Sequence, residues 1–212
     1  MKKISFVVFI YILAIINVRG QNDPKAINIL DKFSTTATAA PSVSISFLLV
    51  NTDQIENSID SITGSVILSK NSYKLVLPDN IIWFDGETSW SYLPAEQEVT
   101  ITRPDKKDNS FQSRPSSVFT MYKNGYKCRL VEEKSDSYLI DLYPVDLKNE
   151  LIRVRLSILK PSMNLSSLEY KRRDGVTINL IVKEYNLKKV PESGTFTFQP
   201  EKYKDAEVID MR

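Results

Sequence analysis

The alternation of apolar and polar residues is the feature that most restricts the fold of this chain. In its clearest segment, four aliphatic residues alternate with two arginines and a serine: Ile152, Val154, Leu156 and Ile158. Val99 and Ile101 alternate with polar residues in the same way. Because successive side chains of a strand point to opposite faces, each segment has one apolar and one solvated face. The pattern predicts an antiparallel sheet with one buried face.

Two Asp-Gly dipeptides mark tight turns in this sheet. Asp85-Gly86 and Asp174-Gly175 each separate two apolar runs, and a two-residue hairpin turn needs positive φ at its centre. We predict about eleven strands from twelve apolar runs, at residues 43–50, 62–68, 73–77, 81–84, 88–93, 99–101, 126–131, 138–143, 152–158, 165–171, 176–185 and 195–198. The absence of long helical segments between them excludes a parallel α/β fold.

Two segments depart from the strand pattern. Asp23-Pro24 combines a capping residue with a proline at the first helical position. Apolar residues then recur at helical spacing: Ala26, Ile27, Leu30 and Phe33. A second helix, short and apolar, is predicted between Pro115 and Gly125. The sequence therefore predicts a mainly β fold with an N-terminal helix and a short helical interruption of the sheet.

The first twenty residues have the composition of a secretory signal peptide. Lys2 and Lys3 precede an apolar run over residues 4–16, and Val18 and Gly20 suit the positions that a signal peptidase reads. The run is shorter than the ~20 residues that a transmembrane helix needs. We expect a signal peptide at residues 1–20 and a single exported domain at residues 21–212.

The cysteine content and the charge limit the class of protein further. Cys128 is the only cysteine, so an ordinary hydrophobic core must hold the exported domain together. Without Lys2, Lys3 and Arg19 of the signal peptide, 25 basic residues face 26 acidic ones. A nucleic-acid partner is disfavoured, because phosphate binding requires a basic surplus on one face.

Most catalytic chemistry has no support in this sequence. The chain contains no histidine, which excludes Ser-His-Asp and Cys-His catalysis and histidine-ligated zinc. Cys128 alternates with two basic residues on a predicted strand, and we interpret it as a packing residue rather than a nucleophile. The adjacent acids Glu132 and Glu133 would point to opposite faces of a strand, and Asp85, near Glu87, belongs to a turn. We predict no enzymatic activity, metal or cofactor.

Four stretches, in order, resemble the signature of the LolA-type outer-membrane lipoprotein carriers. They are a glycine-led strand, a second strand, a D-G-x-x-x-W-x-Y hairpin and a further strand, at residues 64–70, 73–75, 82–93 and 98–101. Supporting similarity lies at Phe47, at residues 115–121 and 196–200, and in the tail at 207–212, which is typical of Bacteroidetes-like members. The resemblance covers essentially the whole exported chain.

This resemblance implies an open, incomplete antiparallel β-barrel around an apolar hollow, with short helices as a lid and lipoprotein acyl chains inside. The expected lining residues are those that alternation places inward: Phe47, Leu49, Val66, Leu68, Leu75, Trp90, Tyr92, Val99, Ile101, Phe119 and Met121. Trp90 and Tyr92 are equally compatible with ordinary core packing. Composition alone leaves a filled core and a lipid cavity open as alternatives.

Lys70 marks one departure from the family pattern. Well-studied members carry a basic residue followed by proline at the end of the glycine-led strand, where arginine ties the lid shut. Here the matching pair is Lys70-Asn71. Because lysine lacks the planar fork of arginine, the resemblance implies a weaker or differently built lid latch at Lys70. An ordinary exposed lysine at a strand end is the alternative.

The function implied by the resemblance is non-enzymatic transport through the periplasm. A monomeric carrier would receive acylated lipoproteins from an inner-membrane ABC-type lipoprotein exporter and deliver them to the outer membrane, with a receptor there left open. The alternative is a periplasmic lipid- or lipoprotein-binding sensor domain without a transport role. A third hypothesis, an enzyme that uses carboxylates alone, would require two acids that converge on a pocket.

Overall fold

The structure is a computed structural model that describes residues 22–104 and 114–212. In this part of the chain twelve strands form one sheet, which is not closed and makes an open, incomplete barrel. The strands are β1 (Val43–Asp53), β2 (Ser58–Ser69), β3 (Ser72–Val76), β4 (Ile81–Phe84), β5 (Ser89–Leu93), β6 (Glu98–Thr102), β7 (Tyr126–Glu133), β8 (Ser137–Pro144), β9 (Leu151–Leu159), β10 (Leu165–Arg172), β11 (Val176–Asn186) and β12 (Glu207–Asp210). The predicted fold class is confirmed.

Two antiparallel meanders make up the sheet. β1 to β6 pair in chain order, as do β7 to β11, and the antiparallel pairing of β1 with β11 joins the two meanders. β12 then adds to the outer edge of β6 in the parallel direction. The sheet edges are therefore β7 and β12.

The N-terminal helix α1 spans Pro24–Ala39. It begins at Asp23, whose Oδ1 accepts hydrogen bonds from the backbone N–H groups of Lys25, at 2.9 Å, and Ala26, at 3.4 Å. These bonds satisfy donors that a helix start leaves without partners. One face of α1 is buried through residues at helical spacing: Ala26, Ile29, Leu30, Phe33, Ser34 and Ala37. The predicted helix is confirmed.

The segment before α1 also covers part of the β7 edge. The backbone N–H of Asp23 donates to the carbonyl oxygen of Cys128 at 3.0 Å, and the N–H of Cys128 donates to Asn22 Oδ1 at 2.9 Å. Asp23 Oδ2 accepts from the N–H of Leu130 at 3.1 Å. Edge groups that would otherwise be open to another strand are satisfied within the chain.

The second predicted helix consists of two 3-10 helices, Pro115–Phe119 and Met121–Lys123. The Phe119 ring packs on that of Phe33 in α1, with ring centroids 5.4 Å apart. The Tyr122 hydroxyl donates to Asp31 Oδ1. Because 3-10 helices are too short to be stable alone, this segment depends on its contacts with α1.

The sheet has an inner face, on which α1 and the 3-10 helices pack, and an outer face. The inner face carries the main hydrophobic core, whose most deeply buried sheet residues are Ile140, Leu142, Val154, Leu156, Ile158 and Leu168. A second, smaller cluster forms around Trp83, Val99 and Phe198. Since Trp83 pairs with Lys74 and Trp90 across the sheet, this second cluster lies on the outer face.

The structure corrects three details of the strand prediction. Residues 195–198 form turns rather than a strand, because their backbone bonds return to the Gly194 turn: the N–H of Thr197 donates to the carbonyl of Gly194 at 3.3 Å. Residues 207–210 form β12, which pairs with β6 in parallel. Gly64 lies within β2 and does not begin that strand.

Among the residues that the structure describes, no helix has both the length and the apolar composition needed to cross a membrane. The predicted signal peptide at residues 1–20 lies outside the described ranges. The extent of the exported domain therefore stays a prediction.

Candidate functional site

The inner face falls into a covered half and an accessible half. Across β8, β9 and β10, α1 and the 3-10 helices leave the apolar side chains almost without solvent contact. Across β3, β4, β11 and the middle of β1, inner residues remain partly exposed while packing against the core. We call this group the inner apolar patch: Leu49, Leu75, Leu77, Ile82, Ile178 and Val182.

Cross-strand pairing makes this patch continuous. Leu75 pairs with Ile82 across β3 and β4, and Val182 pairs with Phe47 across β11 and β1. Phe47 pairs in turn with Gly64 of β2, whose missing side chain leaves room for the Phe47 ring. Since directly opposed residues share a face, a partly exposed apolar surface runs over the inner side of at least four strands.

The predicted lining residues divide between the two faces of the sheet. Five of them lie on the inner face: Phe47, Leu49, Val66, Leu68 and Leu75. Phe119 and Met121 of the 3-10 helices pack against the same inner core, Phe119 buried and Met121 half-buried. The other four lie on the outer face: Trp90, Tyr92, Val99 and Ile101. The structure thus brings together seven of the eleven.

The four outer residues are covered by the C-terminal part of the chain. Tyr203 packs on Tyr92, with ring centroids 4.7 Å apart, and on Trp83, at 5.5 Å. Phe198 packs on Trp83 at 5.6 Å, and Val99 is completely buried. This packing fits one of the two interpretations of Trp90 and Tyr92, ordinary core packing, and a lipid-lining role for the four residues stays a prediction.

Lys70 occupies the two-residue turn between β2 and β3. Its backbone is left-handed, with φ of +53°, and its side chain is exposed. Its ammonium group forms no ion pair with any carboxylate of the described residues. The lid-latch role of Lys70 stays a prediction.

Sequence reasoning missed four of the six residues of the inner apolar patch. Leu77, Ile82, Ile178 and Val182 were not among the expected lining residues, although Ile178 and Val182 alternate along β11 with outward-facing neighbours. That alternation was the available signal. Alternation does not show which strand β11 pairs with, and it is the pairing of β11 with β1 that places Val182 beside Phe47.

The inner face also contains a few polar groups. The Tyr185 hydroxyl is buried without a hydrogen-bond partner among the described residues, and burial raises the pKa of this phenol. Tyr122 sits beside α1, where burial, reinforced by the hydrogen bond to Asp31, raises its pKa to about 12. Both side chains are therefore neutral at physiological pH and add no charge to the inner face.

Cys128 and the acidic side chains are the groups to consider for catalysis or metal binding in the part of the chain that the structure describes. Cys128 is buried, and desolvation raises its pKa to about 11, so its thiol is protonated at neutral pH and unsuited to nucleophilic attack. Within the described ranges, no three Cys, Asp or Glu side chains are grouped so that they could hold a metal ion. The arrangement suits apolar contact.

Residues 17–175 match the family model described as outer membrane lipoprotein carrier protein LolA. The chain belongs to the LolA family. A search of curated proteins finds no match. The match covers the inner apolar patch except for Ile178 and Val182. It also ends before Phe198 and Tyr203, which pack on Trp83 on the outer face.

Several solved structures are similar to this chain at low sequence identity, and the first of them, with a TM-score above 0.5, shares its fold. An uncharacterized conserved protein from Thermus thermophilus has a TM-score of 0.58 and 14% identity, over 88% of this chain and 99% of that chain. A putative outer membrane lipoprotein-sorting protein domain from Vibrio parahaemolyticus has a TM-score of 0.44 and 9% identity, over 82% and 96%. A LolA superfamily protein from Nitrosomonas europaea has a TM-score of 0.43 and 14% identity, over 82% and 97%.

Proposed function

We propose that this LolA-family protein binds the acyl chains of lipoproteins on the inner face of its open barrel and carries them through the periplasm to the outer membrane. It would act as a monomer, without a cofactor, and receive its cargo from an inner-membrane ABC-type lipoprotein exporter. An outer-membrane receptor would be a further partner where one exists. The expected signal peptide is consistent with export.

The inner apolar patch is the observation that carries this proposal. Six partly exposed aliphatic side chains lie together on a face that is otherwise filled core. Transfer of an acyl chain from water to an apolar surface is favourable by ~0.8 kcal/mol for each buried CH₂ group. A patch that stays accessible beside a stable core offers such contacts without unfolding the sheet.

Leu48 and Leu49 provide a matched test of this face. They are neighbours on β1 and both are half-buried, but Leu49 packs against the inner core, whereas Leu48 pairs with exposed Ile181 on the outer face. We expect Leu49→Gln to weaken binding of a fluorescent triacylated lipopeptide and Leu48→Gln to leave it unchanged. Equal affinity of the two variants would contradict binding on the inner face.

Transport itself requires a test in cells. After depletion of the protein, fractionation should show acylated lipoproteins retained in the inner membrane, because cargo released by the exporter would have no carrier. A sensor that binds lipid without moving it would leave the distribution of lipoproteins unchanged. That second outcome, in a strain that lacks every paralogue, would refute transport while leaving lipid binding intact.

A further inference from the structure

A polar cleft of about 260 Å³ lies on the outer face, on the opposite side of the sheet from the inner apolar patch. Its floor is a row of three residues that pair across neighbouring strands, Ile67 of β2, Lys74 of β3 and Trp83 of β4. Its walls come from residues 189–203, which cross this face after β11. The cleft is therefore built from two parts of the chain that are far apart in sequence.

Three lysines converge on this cleft: Lys74, Lys189 and Lys202. Glu192 is the one carboxylate among its described lining residues, and none of the three lysines forms an ion pair with a described carboxylate. The Lys74 ammonium lies 5.4 Å from the centroid of the Trp83 ring. Burial, with further contributions from the charges of Lys202 and Lys189, lowers the pKa of Lys74. Three ammonium groups that line one cleft repel one another, and an anion bound between them would offset that repulsion.

The turn at Gly194 forms part of the wall of the cleft. Gly194 has φ of +78°, and a Cβ at this position would collide with Nε2 of Gln199. The Gln199 amide donates to the carbonyl oxygen of Gly194 at 3.5 Å. The backbone N–H of Thr195 donates to the carbonyl oxygen of Glu192 at 3.2 Å. The residues of this turn line the cleft together with the three lysines.

We propose that this outer cleft binds a phosphate monoester group through Lys74, Lys189 and Lys202. Three lysines and one glutamate give the lining a net charge of +2, which complements the charge of about −1.5 to −2 on a phosphate monoester near neutral pH. Lysine ammonium groups bind phosphate as point charges. The cleft volume exceeds the roughly 30 Å³ of one water several times, so a phosphate with part of its substituent fits.

Titration with inorganic phosphate at constant ionic strength, followed by NMR, tests this site. Saturable shifts are expected in the amides of residues 192–199. Lys202→Gln should weaken binding about tenfold, as expected for the loss of one hydrogen bond to a charged group, and Lys74→Gln with Lys202→Gln should abolish it. A Lys127→Gln/Lys183→Gln protein is the matched control, since both lysines are exposed and outside the cleft.

Binding to vesicles distinguishes a lipid headgroup from a free phosphate ester as the ligand of this cleft. Co-sedimentation with phosphatidylcholine vesicles that contain phosphatidic acid, lost in Lys74→Gln/Lys202→Gln, would assign a lipid headgroup. Phosphate binding without vesicle binding would assign a free phosphate ester. Lys202 is exposed, so Lys202→Gln alone carries the test if Lys74→Gln fails to fold. The absence of saturable binding in both arms, or equal binding by the lysine variants, would overturn the site and leave lipopeptide binding on the inner face unaffected.

Discussion

The ring of Phe47 lies over Gly64, its cross-strand partner on the inner face. A Cβ at Gly64 would be 2.7 Å from Cζ of Phe47 and 2.8 Å from Cδ2 of Leu77. The glycine of the family signature therefore serves to admit an aromatic ring against the sheet. Gly64 has no left-handed backbone, so space and not conformation requires glycine here.

Gly64→Ala is expected to destabilise the protein by about 1 to 2 kcal/mol. Overpacking costs about 1–3 kcal/mol, and removal of a glycine from a strand recovers about 0.5–1 kcal/mol. Chemical denaturation measures the loss. Combining the change with Phe47→Leu should remove the part of the steric cost that the Phe47 ring causes, because the smaller side chain leaves room for the Cβ, while the contact with Leu77 Cδ2 remains. Additive costs in the double variant would contradict the steric explanation.

Asp23 is expected to stabilise both α1 and the β7 edge. Its Oδ1 accepts from two helical N–H groups, and its Oδ2 accepts from the N–H of Leu130. Asp23→Ala should lower the free energy of unfolding by about 1 to 2 kcal/mol, as for other helix caps. Asp23→Asn keeps an acceptor and should cost less. Hydrogen exchange at the Leu130 amide should quicken in Asp23→Ala, and unchanged protection there would contradict the edge role.

The contribution of Asp23 should depend on pH. Although burial acts to raise its pKa, the backbone donors of Leu130, Lys25 and Ala26 outweigh it, and the pKa lies below its ordinary value of 3.8. The ionised form is thus the one that the fold favours, so its stabilisation is present above that ordinary value and is lost as pH falls through the lower folded value. Urea unfolding should show the wild-type advantage over Asp23→Asn shrinking below about pH 4. An advantage that grows in acid would contradict this sign.

Phe119 and Met121 should respond differently to replacement by alanine. Phe119 is buried against Phe33, so Phe119→Ala should cost about 3–5 kcal/mol through the cavity that it leaves. Met121 is half-buried, so Met121→Ala should cost less, about 2 kcal/mol at most. If the 3-10 helices form a lid, Met121→Ala should also change lipopeptide affinity or release. A large stability loss in Met121→Ala, with unchanged lipopeptide binding per folded molecule, would refute the lid role of the 3-10 helices.

Asp141 should be essential to the stability of the outer face across β8 and β9. Its carboxylate is buried and accepts from Arg155 Nε at 2.7 Å, from Arg155 Nη2 at 2.9 Å and from the Tyr143 hydroxyl at 2.9 Å. Asp141→Ala should cost about 3 kcal/mol, the lower end of the range for a broken buried ion pair, because the Arg155 guanidinium loses both hydrogen bonds to this carboxylate but stays partly exposed opposite Glu169. Thermal melts measure the loss. Asp79→Asn, at an exposed site, is the control and should change the melting temperature little.

Local signals predicted much of this fold. The Asp23-Pro24 start of α1, the hairpin turns at Gly86 and Gly175, and the alternation of Val154 and Leu156 all depend on contacts within a few residues, and the structure contains each of them. These features follow from capping, backbone sterics and the two-residue period of a strand. The buried state of Cys128 agrees with its place in that alternation.

Long-range pairing decided what local signals could not. The tail that became β12 carries no alternation that distinguishes it from a loop, and its parallel bonds to β6 exist only once the chain has returned to that edge. The turn at 195–198 has apolar residues because Phe198 packs on Trp83. The apolar residues of this turn therefore reflect packing on another element rather than strand formation.

Alternation by itself determined which residues of a strand share a face, and tertiary structure alone decided which face is the inner one. Trp90 and Tyr92 share a face, as do Leu49 and Phe47, and the sequence shows both relationships equally well. Only the packing of α1 on one side, and of Phe198 and Tyr203 on the other, separates the two sets. A period of two is the same for both faces of a sheet, so alternation cannot tell one face from the other. The candidate lipid-binding face is therefore fixed by which side of the sheet α1 packs on.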